Sequence, residues 1–192
     1  MNAVLHAVRV KGIASEAAIV DATGLSLGEV ERELATLEGD ELVLRRPSRK
    51  RPGWVLTEEG RIHHGAQLAA AHDDAELAAI AEHYEGFLAV NAQVKTVSAK
   101  WQHATDDAAR FELIDRIETL HGRAAPVLER AGAAAERYGR YGARLGAALE
   151  KLENDQRFFV SPLVDSYHTV WFECHEDFLL TLGRTRAGEG SE

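Results

Sequence analysis

"LSLGEVERELATLEGDELVLRRPSRKRPGWVLTEEGR", residues 25–61, changes its hydrophobic period halfway through. From Ser26 onward, Val30, Leu34 and Leu37 recur at helical spacing. Ser26 with Glu29 three residues on is a capping-box pattern, and Gly39 is a helix terminator. The next two runs, "ELVLRR" and "GWVLT", alternate with a period of two and predict a hairpin. Pro47 and Pro52 stiffen its base, and Thr57 is the cap of a further helix. Between the strands, "RRPSRKRPGW" (45–54) carries five positive charges and no negative one.

Upstream, "AVLHAVRV" places Val4, Leu5 and Val8 on one helical face that ends at Gly12. Ser15 caps "EAAIVDAT", and Gly24 stops it. Downstream, every segment reads as helix. Residues 74–101 carry Leu77, Ile80, Tyr84, Phe87, Asn91, Val94 and Trp101 in one stripe. A helix over about 107–121 follows. Gly122 and Pro126 bound the next, a single helix over 124–153 with an a/d stripe. Beside that stripe, Gly132, Gly139 and Gly146 repeat every seven residues, as do Arg123, Arg130, Arg137, Arg144 and Lys151. Relative to the apolar seam, the basic series is expected outward, on a solvated face with ion pairs. Pro162 is expected to introduce the last helix, "LVDSYHTVWFECHEDFLLTLG", which is apolar most of the way round. Such a helix lies at the centre of a bundle or at a dimer interface.

The 192-residue chain has a formal net charge of -9, unevenly spread. Residues 1–72 hold nine Lys/Arg against ten Asp/Glu; residues 73–192 hold thirteen against twenty-one. A local basic patch in the near-neutral third is compatible with phosphate binding. No run of 18 apolar residues occurs, so no membrane partner is expected. The start "MNAVLHAVRVKG" has no secretion-signal pattern, and Cys174 is the single cysteine. The expected location is cytoplasmic.

Three helices followed by a basic hairpin resemble the winged helix-turn-helix regulators of the MarR and PadR type. The resembling residues are "LSLGEVERELATLEGDELVLRR", the loop and "WVLTEEGR". The resemblance covers about residues 3–64. It implies a mainly α protein with a winged helix-turn-helix domain over 1–70 and an antiparallel helical bundle over 71–192. In that family the third helix enters the major groove and the wing reaches the backbone or minor groove. Carried over, Ser26, Gly28, Arg32 and Thr36 fall on the reading helix, with Glu29 and Glu33. Arg49, Lys50 and Arg51 fall on the wing tip, with Arg46 beside them. The reading helix departs from a basic pattern: Glu29, Glu31, Glu33 and Glu38 face a single Arg32. Four carboxylates oppose a polyanion, which makes the wing the main electrostatic handle.

The whole chain, through "VLHAVRVKG" and "SPLVDSYHTVWFECHEDF", also resembles a small group of winged-helix-plus-bundle sequences. Some stand alone, and others extend proteins resembling phosphoenolpyruvate or pyruvate dikinase. Two functions are therefore expected. The first is a dimeric regulator of double-stranded DNA, controlled by a small-molecule effector in the helical domain. The alternative is an accessory protein-interaction module of a phosphotransfer-type enzyme, without DNA binding. No glycine-rich phosphate loop, GxSxG or HExxH occurs, so the chain is not expected to be an enzyme or to carry a cofactor.

In the last helix, His168 and His175 lie two turns apart, about 10 Å along the axis, too far to chelate one metal ion. With Tyr167 and Trp171, and with Tyr84, Asn91 and Trp101 of the first long helix, they form a candidate aromatic–histidine effector pocket. The other reading is a core whose histidines are satisfied by neighbours. Cys174 reads as an inert core residue, and His63 and His64 as surface residues.

Overall fold

A computed structural model describes residues 1–49 and 52–185. Among them the chain is mainly helical, with one two-stranded antiparallel sheet. It divides into two units, Met1–Asp73 and Asp74–Glu192. None of the described helices is long and apolar enough to cross a membrane.

The first unit contains α1 (Ala3–Lys11), α2 (Glu16–Thr23), α3 (Leu27–Gly39), β1 (Val43–Arg46), β2 (Gly53–Leu56) and α4 (Glu58–Ala69). Side-chain caps fix four helix starts: Asn2, Ser15, Ser26 and Thr57 each accept a backbone N–H of the first turn. Gly12 and Gly24 end α1 and α2 with positive φ, which only glycine adopts at little cost. The β1–β2 register pairs Val43 with Leu56 and Arg46 with Gly53. Ala14 adds a third backbone partner to the sheet, exchanging hydrogen bonds of 2.7 and 3.0 Å with Trp54. A core of Val4, Leu5, Val8, Ile19, Val30 and Leu34 lies beneath.

One expectation fails here. His63 is exposed, but His64 is 2% exposed. Its Nε2 lies 3.0 Å from Nδ1 of the buried His6, so a histidine pair joins α4 to α1. Gly60 permits the close approach of α4: an added Cβ would run into the Leu42 carbonyl.

The second unit contains α5 (Asp74–His103), α6 (Asp107–Ala134), α7 (Glu136–Leu152), α8 (Arg157–Val160) and α9 (Tyr167–Thr181). Three predicted boundaries are corrected. Gly122 and Pro126 do not bound a helix; α6 runs through both. Nor is 124–153 one helix. Ala135 adopts an extended conformation (φ -150, ψ 110) and turns the chain back on itself. Gly132 meets Gly139 across this corner, where an added Cβ would lie 3.0 Å from the Gly139 Cα. So α6 and α7 form an antiparallel hairpin, and the glycine repeat serves close helix approach within the chain. Likewise α9 starts at Tyr167, not at Pro162, because Ser166 is its cap, accepting from the Thr169 N–H. Tyr84, Phe87, Trp171, Tyr138 and Phe178 are among the large side chains of this core.

Candidate functional site

Two residue sets were singled out by the sequence, one in each unit. In the first, Ser26, Gly28, Arg32 and Thr36 are all exposed on α3. Each helical residue advances about 100° around the axis. The buried edge of α3 is Val30, Leu34 and Leu37. Diametrically opposite lie Gly28, Arg32, Ala35 and Gly39, with Thr36 next to them. Glu31 and Glu38 fall on one flank of this stripe, and Glu29 and Glu33 on the other. The outermost line of α3 is therefore small and polar, and its one charge is Arg32.

The flanking carboxylates are partly engaged inside the unit. Glu29 Oε2 accepts the Ser26 N–H at 2.8 Å, completing the capping box. Hydrogen bonds from the Ser26 side chain and backbone hold its carboxyl below the ordinary range. Glu33 Oε2 accepts from Asn2 Nδ2 at 2.8 Å, which ties α3 to the start of α1. The Thr36 hydroxyl donates to the Arg32 carbonyl at 3.1 Å.

The five basic residues of the hairpin separate by position. Arg45 is held at the base: its guanidinium lies 5.8 Å from the Trp54 ring centre and 3.6 Å from Glu16 Oε1, which also accepts from Trp54 Nε1. Arg46 and Arg49 are exposed. Lys50 and Arg51 lie outside the described residues.

In the second unit, α5 and α9 bring Tyr84, Asn91, Trp171 and His175 together. Tyr84 Oη and His175 Nε2 are hydrogen-bonded at 2.9 Å, and Trp171 Nε1 donates to Asn91 Oδ1 at 2.9 Å. Phe87 stacks on Trp171, with centroids 4.5 Å apart. Tyr167 stacks on the same indole, with centroids 6.0 Å apart. Trp101 is not part of this group. It lies about 25 Å along α5 from Tyr84 by helix rise and packs edge-on against Phe159. His168 is half-buried and faces the exposed Phe172; burial lowers its pKa.

Sequence reasoning missed the polar interior between α7 and α9. Arg137 and Arg144 do not belong to a solvated face. Arg137 is 18% exposed, and its Nε donates to both oxygens of Asp177, which is fully buried. Tyr141 Oη donates to the same carboxylate at 3.2 Å. Arg144 Nη2 donates to Asp165 at 2.6 Å and to Glu173 at 2.7 Å. Burial, then the Asp177 charge, pushes the Tyr138, Tyr141 and Cys174 pKa values well up. Cys174 is thus a buried thiol in neutral form.

Sequence reasoning also missed His121. Its Nδ1, the Tyr167 hydroxyl and the Ser98 hydroxyl are buried with no hydrogen-bond partner among the described residues. The seven-residue arginine series was the visible signal for Arg137 and Arg144; no local pattern marks His121. No protein family, curated protein or solved structure matches this chain.

Proposed function

We propose that the first unit is a winged helix-turn-helix domain of the MarR or PadR type, and that the chain is a dimeric, DNA-binding transcriptional regulator. On this reading α3 is the reading helix, β1–β2 is the wing, and the second unit supplies dimerisation and an effector site. The order of three helices, hairpin and helix supports it, as does the Ala14–Trp54 bridge that docks the hairpin on the helices.

The observation that carries the reading is the outer stripe of α3. A groove-reading helix needs its outermost line free of carboxylates, since phosphate neutralisation supplies most of the affinity. Gly28, Ala35 and Gly39 let backbone approach backbone closely there, and Arg32 is the donor suited to guanine O6 and N7. Arg46 and Arg49 on the hairpin suit phosphate contact.

Selection from random duplexes at physiological salt tests this. A consensus should emerge. Arg32→Ala should cost about 1–3 kcal/mol and relax one position of that consensus. Arg46→Ala with Arg49→Ala should weaken binding to all sequences alike and reduce the salt slope by about one per lost contact. No enrichment, or affinities indifferent to all three changes, refutes the reading and leaves the accessory-module function.

A further inference from the structure

The second unit is strongly acidic, yet residues 86–103 of α5 hold Lys95 and Lys100 and no Asp or Glu. Two arginines of α6 gather against this stretch. Arg116 Nη2 donates to Gln93 Oε1 at 2.7 Å, and Arg123 Nη1 donates to the same oxygen at 3.4 Å. The two residues start two turns apart on α6, about 10 Å along its axis, so their side chains lean towards each other to share one atom. Both guanidiniums are permanently charged, and at this range they repel.

The acceptor between them is the unusual part. Arg110, Arg137, Arg140, Arg144, Arg157 and Arg184 of this unit each meet a carboxylate. Arg116 and Arg123 meet a neutral amide, and neither forms an ion pair among the described residues. Glu112, one turn before Arg116, is not bonded to it. Gln93 Nε2 donates to the Ala89 carbonyl at 3.3 Å, which turns the amide oxygen towards the arginines. That oxygen carries only a partial charge, and it occupies the point where two cationic donors converge. Arg116 and Arg123 are exposed and Gln93 is partly so, which leaves the point open to solvent.

We propose that Arg116, Arg123 and Gln93 form a surface site for a doubly charged oxyanion, a phosphate monoester. One phosphate oxygen takes the place of Gln93 Oε1 and a second accepts from the other guanidinium. Two guanidiniums match the two charges of a monoester better than the single charge of a diester or a monocarboxylate. Lys100, two turns along α5 on the same side as Gln93, adds to the positive field. The site rests on the helical unit alone and not on DNA binding, so either reading can fail without the other.

Phenyl phosphate is the probe, with inorganic phosphate beside it and dimethyl phosphate and acetate as singly charged controls. The isotope-labelled full chain is titrated at about pH 7.5, where a monoester carries close to two charges. Ionic strength is held constant to remove general screening. NMR follows the Gln93 side-chain amide and the arginine Nε–H signals. Phenyl phosphate and inorganic phosphate should saturate at roughly millimolar concentration, with both controls about fivefold weaker or worse. Arg116→Gln and Arg123→Gln should each weaken phenyl phosphate about fivefold or more. Arg130→Gln, exposed two turns beyond Arg123 on the same line, should leave affinity unchanged. Gln93→Glu gives both guanidiniums a resident carboxylate, so it should abolish phosphate binding and raise Tm. All four positions are exposed or partly so, and a melting curve of each variant checks that it folds. Absence of saturation at Gln93 overturns the proposal, as do shifts confined to the hairpin arginines. So does equal binding of phenyl phosphate and dimethyl phosphate, an Arg130→Gln loss equal to that of Arg116→Gln, or a Gln93→Glu variant that binds phosphate like the wild type.

Discussion

Replacing Asp177 by asparagine keeps the shape of the side chain and removes its charge. In the folded protein this carboxylate accepts from Arg137 Nε at 3.0 and 3.1 Å and from Tyr141 Oη at 3.2 Å, and Thr181 Oγ1 lies 3.2 Å away. Arg137 is mostly buried, so in Asp177→Asn its guanidinium loses the Asp177 charge with little access to water. Breaking one side of a buried pair costs about 3–5 kcal/mol, chiefly through the charge left behind. The asparagine oxygen still accepts one bond, which places the expectation near the low end, about 3 kcal/mol. For a unit of this size that lowers Tm by roughly 10–15 °C. Scanning calorimetry of the full chain measures it. Two companions make the reasoning sharp. Arg137→Met combined with Asp177→Leu removes both charges and should recover most of the loss, because apolar replacement of a buried pair is near neutral. Glu136→Ala breaks only the exposed Arg140–Glu136 pair on the same helix and should cost less than about 0.5 kcal/mol. A loss under about 1 kcal/mol in Asp177→Asn, or a double variant whose losses simply add, refutes the claim that the pair is energetically coupled.

Gly60→Ala should destabilise the first unit by about 2–3 kcal/mol, because its Cβ would meet the Leu42 backbone carbonyl and neither strand nor helix can yield cheaply; urea unfolding reads it, and a neutral result means α4 is not held that close. Acidification should destabilise the second unit. Burial lowers the pKa of both His121 and His168 from the ordinary 6.5, so the unfolded chain binds more protons in that window. Stability is complete above pH 6.5 and falls as pH drops through the lowered folded values. His121→Gln with His168→Gln should flatten the dependence, and an unchanged slope contradicts it.

What the sequence made legible follows hydrogen-bond range. Ser15, Ser26 and Thr57 announce helix starts because a cap bonds a backbone N–H two or three residues away. Gly12 and Gly24 announce stops for a similarly local reason. The stripe of Tyr84, Phe87 and Asn91 on α5 was equally visible, since helical period identifies a face. It does not identify the partner. Asn91 is satisfied by Trp171, eighty residues on, and Tyr84 by His175. The buried His6–His64 pair is the same case: its two members are 58 residues apart, and neither carries a local mark of burial.

The arginine series shows why a correct period can still point to the wrong face. Arg123, Arg130, Arg137, Arg144 and Lys151 keep a seven-residue spacing that is regular through residue 135. A continuous helix would carry all five on one side, and Arg123 and Arg130, before residue 135, are indeed exposed. Ala135 interrupts the helix with one extended residue and no proline, so no helix-breaking residue stands at the turn itself. That residue reverses the chain direction and resets the angular phase. After it, Arg137 and Arg144 turn inward and meet Asp177 and Glu173 of α9 and Asp165 just before it. Gly132 is what makes a one-residue corner possible, since any side chain there would press on Gly139 at 3.0 Å. The glycine repeat and the arginine repeat are thus one device: the first lets the hairpin close, and the second then supplies cations to the carboxylates of the helix it closes upon.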